Sequence, residues 1–323
     1  MKIGPVPVRN RVFLAPMSGV SDVPFRRIAW RFGAGLVVTE MIATRELVHG
    51  RTESRVRLAG AGISPHMVQL AGREPYWMGE AARIAVAEGA DIVDINMGCP
   101  AKKVTGGYAG SALMREPDLA MALIEATVRA VDVPVTLKMR LGWDAHSLNA
   151  AELARRAEDA GIRMITVHGR TRCQFYEGRA DWAAIAAVRK AVRVPFVANG
   201  DVASTADAER LMAVTGADAV MVGRAAQGRP WLPGEIAGAI ATPSSVLVAE
   251  TACEHYRAMI DHYGAVKGVR HARKHLGWAI DAHAPDCPPA LRRALLTETD
   301  PDVVVARLEQ ALRSSCQPMD RAA

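Results

Sequence analysis

The sequence lacks any uncharged run that reaches the ~20 residues needed for a bilayer-spanning helix. Its N-terminus, MKIGP, has no apolar stretch of the kind that forms a secretory signal peptide. Its five cysteines are odd in number and scattered, without a CxxC pair. We therefore interpret them as thiols rather than as disulfides or zinc ligands. These absences predict a soluble protein of the cytoplasm that holds no metal.

A large excess of charge of either sign is also missing. Forty Lys and Arg face 34 Asp and Glu, which gives a net charge of +6. This excess favours an anionic partner only weakly. From Ala241 onward ten basic residues balance ten acidic ones, so the whole excess lies within residues 1–240. The hydrophobic content of 50% is that of a globular protein and excludes a disordered chain.

A repeated pattern organises the 323 residues. Four segments consist of a glycine followed by a short apolar run rich in β-branched residues, at 33–39, 89–96, 161–168 and 216–223. Each glycine follows a stretch of helical periodicity, where it can adopt the left-handed conformation that ends a helix. The apolar runs are typical of strands that are buried on both faces of a parallel sheet.

Proline opens a second set of apolar runs between the first, at 65–70, 134–139 and 195–199. With the run at 12–15 they predict eight strands, starting near residues 12, 36, 67, 92, 135, 164, 196 and 219. The spacing is about 30 residues, the length of one βα unit. We therefore predict an α/β fold, a (β/α)8 TIM barrel. A doubly wound sheet is the alternative, but no GxGxxG motif follows the first strand.

The pattern changes after about Trp231. Residues 246–281 and 289–313 show only helical periodicity, with expected breaks at Gly264, at Gly268 and in the proline-rich segment 285–289. We therefore predict a small all-helical domain of roughly 80 residues after the barrel. The change in composition places the barrel domain at residues 1–240 and the helical domain at 241–323.

Polar or ionisable side chains end seven of the eight predicted strands. Active sites of TIM barrels lie at the carboxyl ends of the strands. A purely structural barrel has no reason to concentrate such groups on one rim, so we expect this rim to be the active site. The strand ends carry Pro16 and Met17, Glu40, Gln69, Asn96 and Cys99, Lys138 and Arg140, His168, Asn199, Gly200 and Asp201, and Gly223 and Arg224.

The last two strand ends are typical of a phosphate site. Gly200 and Gly223 would let backbone N–H groups approach a phosphate, and Arg224 adds positive charge. The position of Lys138 would place its ammonium group beneath an anionic ring such as that of a reduced flavin. The Gln69 amide can both donate a hydrogen bond to the pyrimidine edge of a flavin and accept one from it. Together, these strand-end residues favour a mononucleotide flavin as the ligand. Each residue taken singly could instead be explained by helix capping, by solvation or, for Lys138, by a side chain that extends to solvent.

Cys99 lies in the string DINMGCP at 94–100, just past a strand end and between glycine and proline. This position predicts a thiol on a rim loop, whereas Cys253 suits core packing. A thiol that faces a flavin can donate a proton to one substrate carbon while the neighbouring carbon receives hydride. The glycine-rich segment 101–111 that follows, with Lys102, is typical of a flap over the site.

Four strings of this chain resemble bacterial tRNA-dihydrouridine synthases, above all those of the B type. They are APMSGVSD at 15–22, DINMGCPAKK at 94–103, VHGRTR at 167–172 and GRAAQGRPW at 223–231. The resemblance covers nearly the whole chain, and the cysteine string is its most specific part. It implies that the C5=C6 bond of a uridine in tRNA is reduced by an FMN enzyme that takes hydride from NAD(P)H.

The resemblance also implies roles for individual residues. Cys99 is the general acid that protonates C5, and Asn96 helps to place the uracil. Lys102 contacts the tRNA, and either Arg170 or Arg172 meets its phosphates. The implied FMN contacts are Pro16, Met17, Ser18, Gln69, Lys138, His168, Asn199, Gly200, Asp201, Gly223 and Arg224.

The C-terminal part supplies a candidate surface for tRNA. On a helix Lys267, Arg270 and Lys274 fall on one face, within the stretch 262–280 that contains no acidic residue. Such a stripe is commonly only a solvated face, but the resemblance implies RNA contact, because the family uses its helical domain in this way. A uridine inside folded tRNA must be extruded to reach the mouth of a barrel.

Two other functions fit parts of the sequence. A flavin barrel that acts on a free pyrimidine such as dihydroorotate is one, but it needs no helical domain with a basic stripe. A non-enzymatic RNA-binding protein with the barrel as its scaffold is the other, and it would bind no flavin. Within the resemblance, the B-type strings favour position 17 of the D-loop as the target uridine.

Overall fold

The computed structural model describes residues 1–101, 104 and 109–314. The eight predicted strands are present, and each begins within one residue of its predicted position. Two short strands before them and one short strand between the second and third were not predicted. In chain order the strands are β1 (Lys2–Ile3), β2 (Val6–Pro7), β3 (Val12–Leu14), β4 (Leu36–Val37), β5 (Ile42–Ala43), β6 (Met67–Ala71), β7 (Ile92–Met97), β8 (Val135–Arg140), β9 (Ile165–His168), β10 (Phe196–Asn199) and β11 (Ala219–Val222).

The main sheet is parallel and runs in the order β4-β3-β11-β10-β9-β8-β7-β6-β5. A parallel bridge between Val38 and Met67 joins the residue after β4 to β6. The backbone N–H of Thr39 also donates to the Met67 carbonyl at 3.1 Å. These contacts close the sheet, which confirms the prediction of a TIM barrel.

The antiparallel hairpin of β1 and β2 covers one end of the barrel. Ile3 is fully buried in a cluster that contains Leu36, Ile92 and Ala219, the first residues of their strands. The hairpin therefore closes the amino end of the barrel, and the opposite rim carries the carboxyl ends of the strands.

The barrel helices end where the glycine pattern predicts. Gly89 and Gly216 follow α4 and α8 with φ of 88° and 67°, in the left-handed region that favours glycine. No helix within the described ranges is long and apolar enough to cross a bilayer. The helices are α1 (Val23–Arg31), α2 (Thr44–Val48), α3 (Thr52–Leu58), α4 (Pro75–Ala87), α5 (Pro117–Ala130), α6 (Ala150–Asp159), α7 (Trp182–Arg189), α8 (Thr205–Thr215) and α9 (Leu232–Ile236), with 3-10 helices at Gly110–Arg115 and Arg224–Ala226.

The chain after α9 is helical, as expected. Buried residues such as Tyr256 and Leu276 form a core separate from that of the barrel. Gly264 separates two helices as predicted, but the break expected at Gly268 is wrong. A Cβ at Gly268 would lie 2.6 Å from Ile260 Cα, so this glycine lets two helices pack closely. The helices are α10 (Ser245–Tyr263), α11 (Ala265–His283), α12 (Pro289–Thr297) and α13 (Pro301–Ser314).

The helical part packs against α1, the helix that follows the first barrel strand. The Arg31 guanidinium donates twice to the Glu254 carboxylate, at 2.7 Å each. The Tyr263 hydroxyl donates to Asp22 at 3.1 Å, and Asp22 caps the N-terminus of α1. The helical part is thereby fixed beside the loop after β3, at the carboxyl rim of the barrel.

Candidate active site

The carboxyl ends of β6 to β10 bring predicted site residues together. Asn96 pairs in register with Lys138, and Asn199 pairs with His168. Gln69 lies opposite Asp94, which is two residues before Asn96 and therefore on the same face of β7. Gln69, Asn96, Lys138 and Asn199 are buried, and His168 is half-buried.

A chain of hydrogen bonds leads from the barrel interior to the cysteine loop. The amide nitrogen of Gln69 donates to Asp94 Oδ2 at 2.6 Å. The amide nitrogen of Asn96 donates to Gln69 Oε1 at 2.7 Å. Asn96 Oδ1 then accepts from the backbone N–H groups of Gly98 and Cys99, at 3.1 and 3.0 Å. Each amide keeps one N–H hydrogen for a bound molecule.

The cysteine loop is held from two further sides. Ser111 donates to the Cys99 carbonyl from its hydroxyl at 2.8 Å and from its backbone N–H at 3.1 Å. Arg140 Nε donates to the Gly98 carbonyl at 2.8 Å. Burial raises the pKa of the half-buried Cys99 thiol above its ordinary value, although Arg140 and Lys138 act in the opposite direction. The thiol is therefore protonated at neutral pH.

Lys138 brings a buried cation to the centre of this rim. Its Nζ donates to Asn199 Oδ1 at 3.1 Å, and the amide nitrogen of Asn199 donates to the Met221 carbonyl at 2.8 Å. The pKa of Lys138 is lowered to about 8, mainly by burial and also by the charge of Arg140, although the Asp94 carboxylate acts in the opposite direction. The ammonium group thus has a neutral amide as its hydrogen-bond partner, an arrangement that suits an incoming anionic group.

His168 is neutral at physiological pH. Burial lowers its pKa well below the ordinary value, and the nearby cations Lys138 and Arg140 act in the same direction. The Nη1 of Arg170 lies 3.4 Å from His168 Nε2. A neutral imidazole can still donate and accept hydrogen bonds at the rim without adding charge.

Arg170 does not occupy the position that RNA contact requires. Its side chain is 2% exposed, and its guanidinium donates to the carbonyls of Glu177 and Gly178 at 3.0 and 2.6 Å. It also donates to Asp201 at 2.8 Å. We therefore correct the expectation for Arg170: it holds the loop after β9 and the Asp201 carboxylate, and it does not reach a phosphate outside.

The residues after β10 and β11 form the expected polar corner. Gly200 has φ of 137°, and a Cβ there would lie 2.6 Å from Ala180 Cβ, so only glycine fits. Asp201 Oδ2 accepts from Ala180 N at 2.7 Å as well as from Arg170, so this carboxylate is not a free phosphate ligand. Arg224 is half-exposed, and its Nη2 lies 3.8 Å from Asp201 Oδ1. Arg224 with the backbone of Gly200 and Gly223 could hold an anion.

The loop after β3 is fixed by hydrogen bonds to side chains. The backbone N–H of Met17 donates to the Ser21 hydroxyl at 2.8 Å, and that of Gly19 donates to the Glu40 carboxylate. Pro16 and Met17 are half-buried, and Ser18 is exposed. Side chains of this loop are therefore available to line a bound ring.

The basic stripe of α11 reaches the same loop. Lys267, Arg270 and Lys274 are exposed, and none of them takes part in an ion pair among the residues that the structure describes. The Nζ of Lys274 lies 2.9 Å from the position that a Cβ on Gly19 would occupy. The stripe and the barrel mouth thus share one side of the molecule. Lys102 and most of the predicted flap lie outside the described residues.

Sequence reasoning missed the buried Asp94, and it placed Arg140 on the rim without predicting a role for it. Asp94 anchors the hydrogen-bond chain, and Arg140 ties the cysteine loop to the carbonyls of Thr171 and Phe175, at 2.8 and 2.7 Å. A signal for Asp94 was present, because an acidic residue in a buried strand requires partners. Arg140 ends β8 two residues after Lys138, and alternation along the strand places the two on one face.

Comparison with known proteins gives a family match over most of the chain. The family described as dihydrouridine synthase matches residues 13–317. A probable tRNA-dihydrouridine synthase from Rhizobium leguminosarum bv. phaseoli is 63% identical over 305 residues, which cover 94% of this chain and 96% of the relative. A protein named tRNA-dihydrouridine synthase B from Xanthomonas campestris pv. campestris is 50% identical over 290 residues, covering 88% and 87%.

Solved structures resemble the chain in fold only. A 6-hydroxypseudooxynicotine amine oxidase from Pseudomonas geniculata N1 has a TM-score of 0.57 at 17% identity, over 74% of this chain and 48% of its own. Histamine dehydrogenase from Rhizobium sp. 4-9 has a TM-score of 0.56 at 14% identity, over 85% and 50%. The chain spans about half the length of these two proteins, and the part that matches supports the barrel fold.

Proposed function

The chain belongs to the dihydrouridine synthase family, and from that premise we propose how its rim reduces uridine in tRNA. The protein is an oxidoreductase that converts the C5=C6 bond of a tRNA uridine to a single bond. The observation that carries this proposal is the position of Cys99 on a rim loop, where Asn96 and Ser111 hold its backbone on the same rim as the buried Lys138.

The rim residues suit FMN as the cofactor. The ammonium group of Lys138 is buried against a neutral amide and can balance an anion. Gln69 and Asn96 each keep an N–H hydrogen for a ring edge or a base. Lys138, Gln69, His168 and Asn199 would hold the ring and its chain, with Pro16, Met17 and Ser18 along its side. Arg224 and the backbone of Gly200, Asp201 and Gly223 would hold the phosphate.

The protein's own groups supply the proton of the reaction. FMN, when bound, supplies the hydride that it takes from NAD(P)H. Cys99 donates the proton to C5, and its raised pKa keeps the thiol protonated at neutral pH. Lys138 offsets negative charge at the ring, because a buried cation acts more strongly there than in water. The Asn96 amide hydrogen that remains free would orient the uracil.

We also propose a division of labour along the chain. Residues 1–240 form the FMN-binding catalytic domain, and residues 241–323 form the domain that binds tRNA. The stripe of Lys267, Arg270 and Lys274 supports this division, since it is exposed and reaches the barrel mouth at Gly19. Lys102 would add a further contact to tRNA. The B-type resemblance favours position 17 as the target, and the enzyme would act on tRNA in the cytoplasm.

Product analysis tests the proposed function. The purified protein should show flavin absorbance, and with NADPH it should form dihydrouridine at a D-loop position in tRNA from a strain without that modification, as mapped by mass spectrometry. Cys99→Ala should form little product, while Cys173→Ala, a change at an exposed cysteine, should match the wild type. A colourless protein, or flavoprotein that leaves such tRNA unmodified, would contradict the proposal.

A further inference from the structure

A buried carboxylate stands at the far end of the hydrogen-bond chain that reaches Cys99. Asp94 is 1% exposed and lies in the interior of the barrel, below the rim. Gln69 donates to its Oδ2 and Thr136 Oγ1 to its Oδ1, both at 2.6 Å. Burial of an acidic side chain in a dry interior is unfavourable unless its oxygens are hydrogen-bonded or its charge is paired. Neither hydride transfer nor proton donation as described above uses Asp94.

The chain of hydrogen bonds has a single direction. A carboxylate oxygen only accepts, so Gln69 must turn its amide nitrogen toward Asp94 and its oxygen toward Asn96. Asn96 must then donate to Gln69 and turn its own oxygen toward the loop. That oxygen meets the backbone N–H groups of Gly98 and Cys99, which only donate. The two ends of the chain therefore demand the same orientation of both amides.

A reversed orientation would leave like groups facing each other. If Gln69 turned its oxygen toward Asp94, two acceptors would meet. If Asn96 then turned with it, its amide hydrogens would face the N–H groups of Gly98 and Cys99. Each mismatch would bury an unsatisfied polar group, which destabilises that arrangement strongly. The buried carboxylate thus selects the arrangement in which the cysteine loop is held.

We propose that Asp94 is a positioning residue for the proton donor, acting through Gln69 and Asn96 on the backbone of Cys99. This role rests on the proposed function, since a proton donor is needed only if the protein reduces its substrate. The chain also passes through two residues placed at the flavin and the uracil. Asp94 therefore fixes the mutual geometry of the thiol, the ring edge and the base from a point that touches none of them.

The protonation state of Asp94 does not alter this role. Burial raises the pKa of Asp94, while Gln69, Thr136 and the charge of Lys138 lower it. A protonated Asp94 would donate to the Thr136 hydroxyl and still accept from Gln69. The hydrogen-bond chain toward Cys99 keeps its direction in both forms.

Two substitutions at Asp94 distinguish the effect of its hydrogen bond to Gln69 from the effect of its negative charge. Asp94→Asn keeps an acceptor for Gln69 and can donate its amide hydrogen to the Thr136 hydroxyl, so the chain survives without the charge. Asp94→Leu keeps the γ-branched skeleton of the side chain but has no acceptor, so the amides of Gln69 and Asn96 lose their fixed orientation. Thr136→Val is the matched control, because it removes the other hydrogen bond of the same carboxylate and leaves the path to Cys99 intact.

The first readout is alkylation of Cys99 by iodoacetamide in the FMN-bound protein, followed by peptide mass spectrometry. Asp94→Leu should raise the rate several-fold, because a loosened loop exposes the thiol, while the exposed Cys173 serves as the internal reference. Asp94→Asn and Thr136→Val should react at the wild-type rate. If Asp94→Leu does not fold, Gln69→Leu breaks the chain one residue later and should give the same increase in protein saturated with FMN.

The second readout compares the rates of the two half-reactions, which are reduction of the flavin by NADPH and its oxidation by tRNA. Reduction of the flavin by NADPH should be unchanged in Asp94→Leu, while its oxidation by tRNA should slow roughly 10- to 100-fold, the effect of a small displacement of a reacting group. Equal Cys99 alkylation in all variants would overturn the proposal. An Asp94→Asn defect as large as that of Asp94→Leu would do the same, since it would assign the effect to charge. If the wild type forms no dihydrouridine, the proposed function is refuted. The alkylation comparison would still decide whether Asp94 positions the Cys99 loop.

Discussion

At the scale of single residues, burial determines what Cys99 can do. A thiolate is a nucleophile, whereas a proton donor must remain a thiol. Burial raises the pKa of Cys99, so the acid form persists to higher pH than in an exposed cysteine. The rate of flavin oxidation by tRNA should therefore be constant through neutral pH and fall only in the alkaline range. A fall that begins below pH 7 would assign proton donation to another group.

Replacing the thiol separates its chemistry from its packing. Cys99→Ala should keep FMN and its reduction by NADPH, because no flavin contact described above involves the sulfur. Oxidation of the reduced flavin by tRNA should slow by ~10²–10⁴-fold, the usual contribution of a positioned general acid. Stopped-flow absorbance of each half-reaction measures this. Equal slowing of both halves would indicate a structural cysteine, and no slowing with tRNA would place the donor elsewhere.

The buried charge of Lys138 destabilises the flavin-free protein. Its pKa is about 8 in the fold, lowered mainly by burial, against ~10.4 in an unfolded chain. Between these values the unfolded chain holds a proton that the folded protein has lost. The free energy of unfolding therefore rises as pH increases from about 8 to 10. Below this window the buried charge is a constant penalty.

Lys138→Met tests this balance. The flavin-free variant should be more stable than the wild type at pH 7 by about 1–2 kcal/mol, after the lost hydrogen bond to Asn199 is deducted. This gain in the free energy of unfolding should shrink as pH rises above 8. The turnover of the variant should be far below that of the wild type. Urea unfolding at pH 7 and 9.5, with flavin content and activity, measures each part. Lower stability of the variant at pH 7 would contradict this account of Lys138.

Arg224 should contribute to cofactor affinity rather than to stability. It is about half-exposed and its pair with Asp201 spans 3.8 Å, so the pair stabilises the fold little. Arg224→Ala should weaken FMN binding by about 1.5–3 kcal/mol, the range for a hydrogen bond to a charged group. Arg210→Ala, at an exposed arginine on α8, is the control. Full flavin content in Arg224→Ala at limiting FMN would refute the assignment to the phosphate.

At the scale of elements, α11 has two distinct faces. Val269, Ala272 and Leu276 are buried against the other helices, while Lys267 and Arg270 project outward. The exposed face continues to Lys274 beside Gly19. The exposed face therefore presents cations next to the barrel mouth, where tRNA would lie under the proposed function.

Charge reversal on α11 tests its role in binding tRNA. Arg270→Glu with Lys274→Glu should weaken binding and lower the salt dependence by a slope of about 0.9 for each lost phosphate contact. Flavin reduction by NADPH should be unaffected. Reversal of Arg163 and Lys190, which are exposed near the amino end of the barrel, is the matched control. An unchanged salt slope in the α11 variant would mean that the stripe is only solvated.

The barrel strands were predictable because glycine and proline mark their starts, and the helix ends at Gly89 and Gly216 followed for the same reason. The two-residue β5 is too short to give a pattern. Gly268 was misread because a glycine that ends a helix and one that admits a neighbouring helix look alike in sequence. The expectation that Arg170 contacts RNA was wrong because the sequence shows only that this arginine follows the end of a strand. The fold is needed to show that its guanidinium is surrounded by Asp201 and two backbone carbonyls.

At the scale of the whole molecule, the docking of the helical part on α1 unites the two proposed surfaces. The Arg31–Glu254 pair and the Tyr263–Asp22 hydrogen bond fix the bundle beside the rim. Phe25 packs edge-on against His255 within the same contact. An exposed cationic helix and a protonated thiol then lie on one side of the protein, as the reduction of a base within a polyanion requires.

We propose that the reduced enzyme passes its hydride to a uridine within tRNA and not to a free pyrimidine. Anaerobic stopped-flow mixing of the reduced flavoprotein with unmodified tRNA, and separately with orotate or uridine, tests it most directly. Flavin should reoxidise with tRNA, with one dihydrouridine formed for each flavin, and should stay reduced with the free compounds. Rapid reoxidation by orotate or uridine, with reduced flavin persisting in the presence of tRNA, would contradict the account.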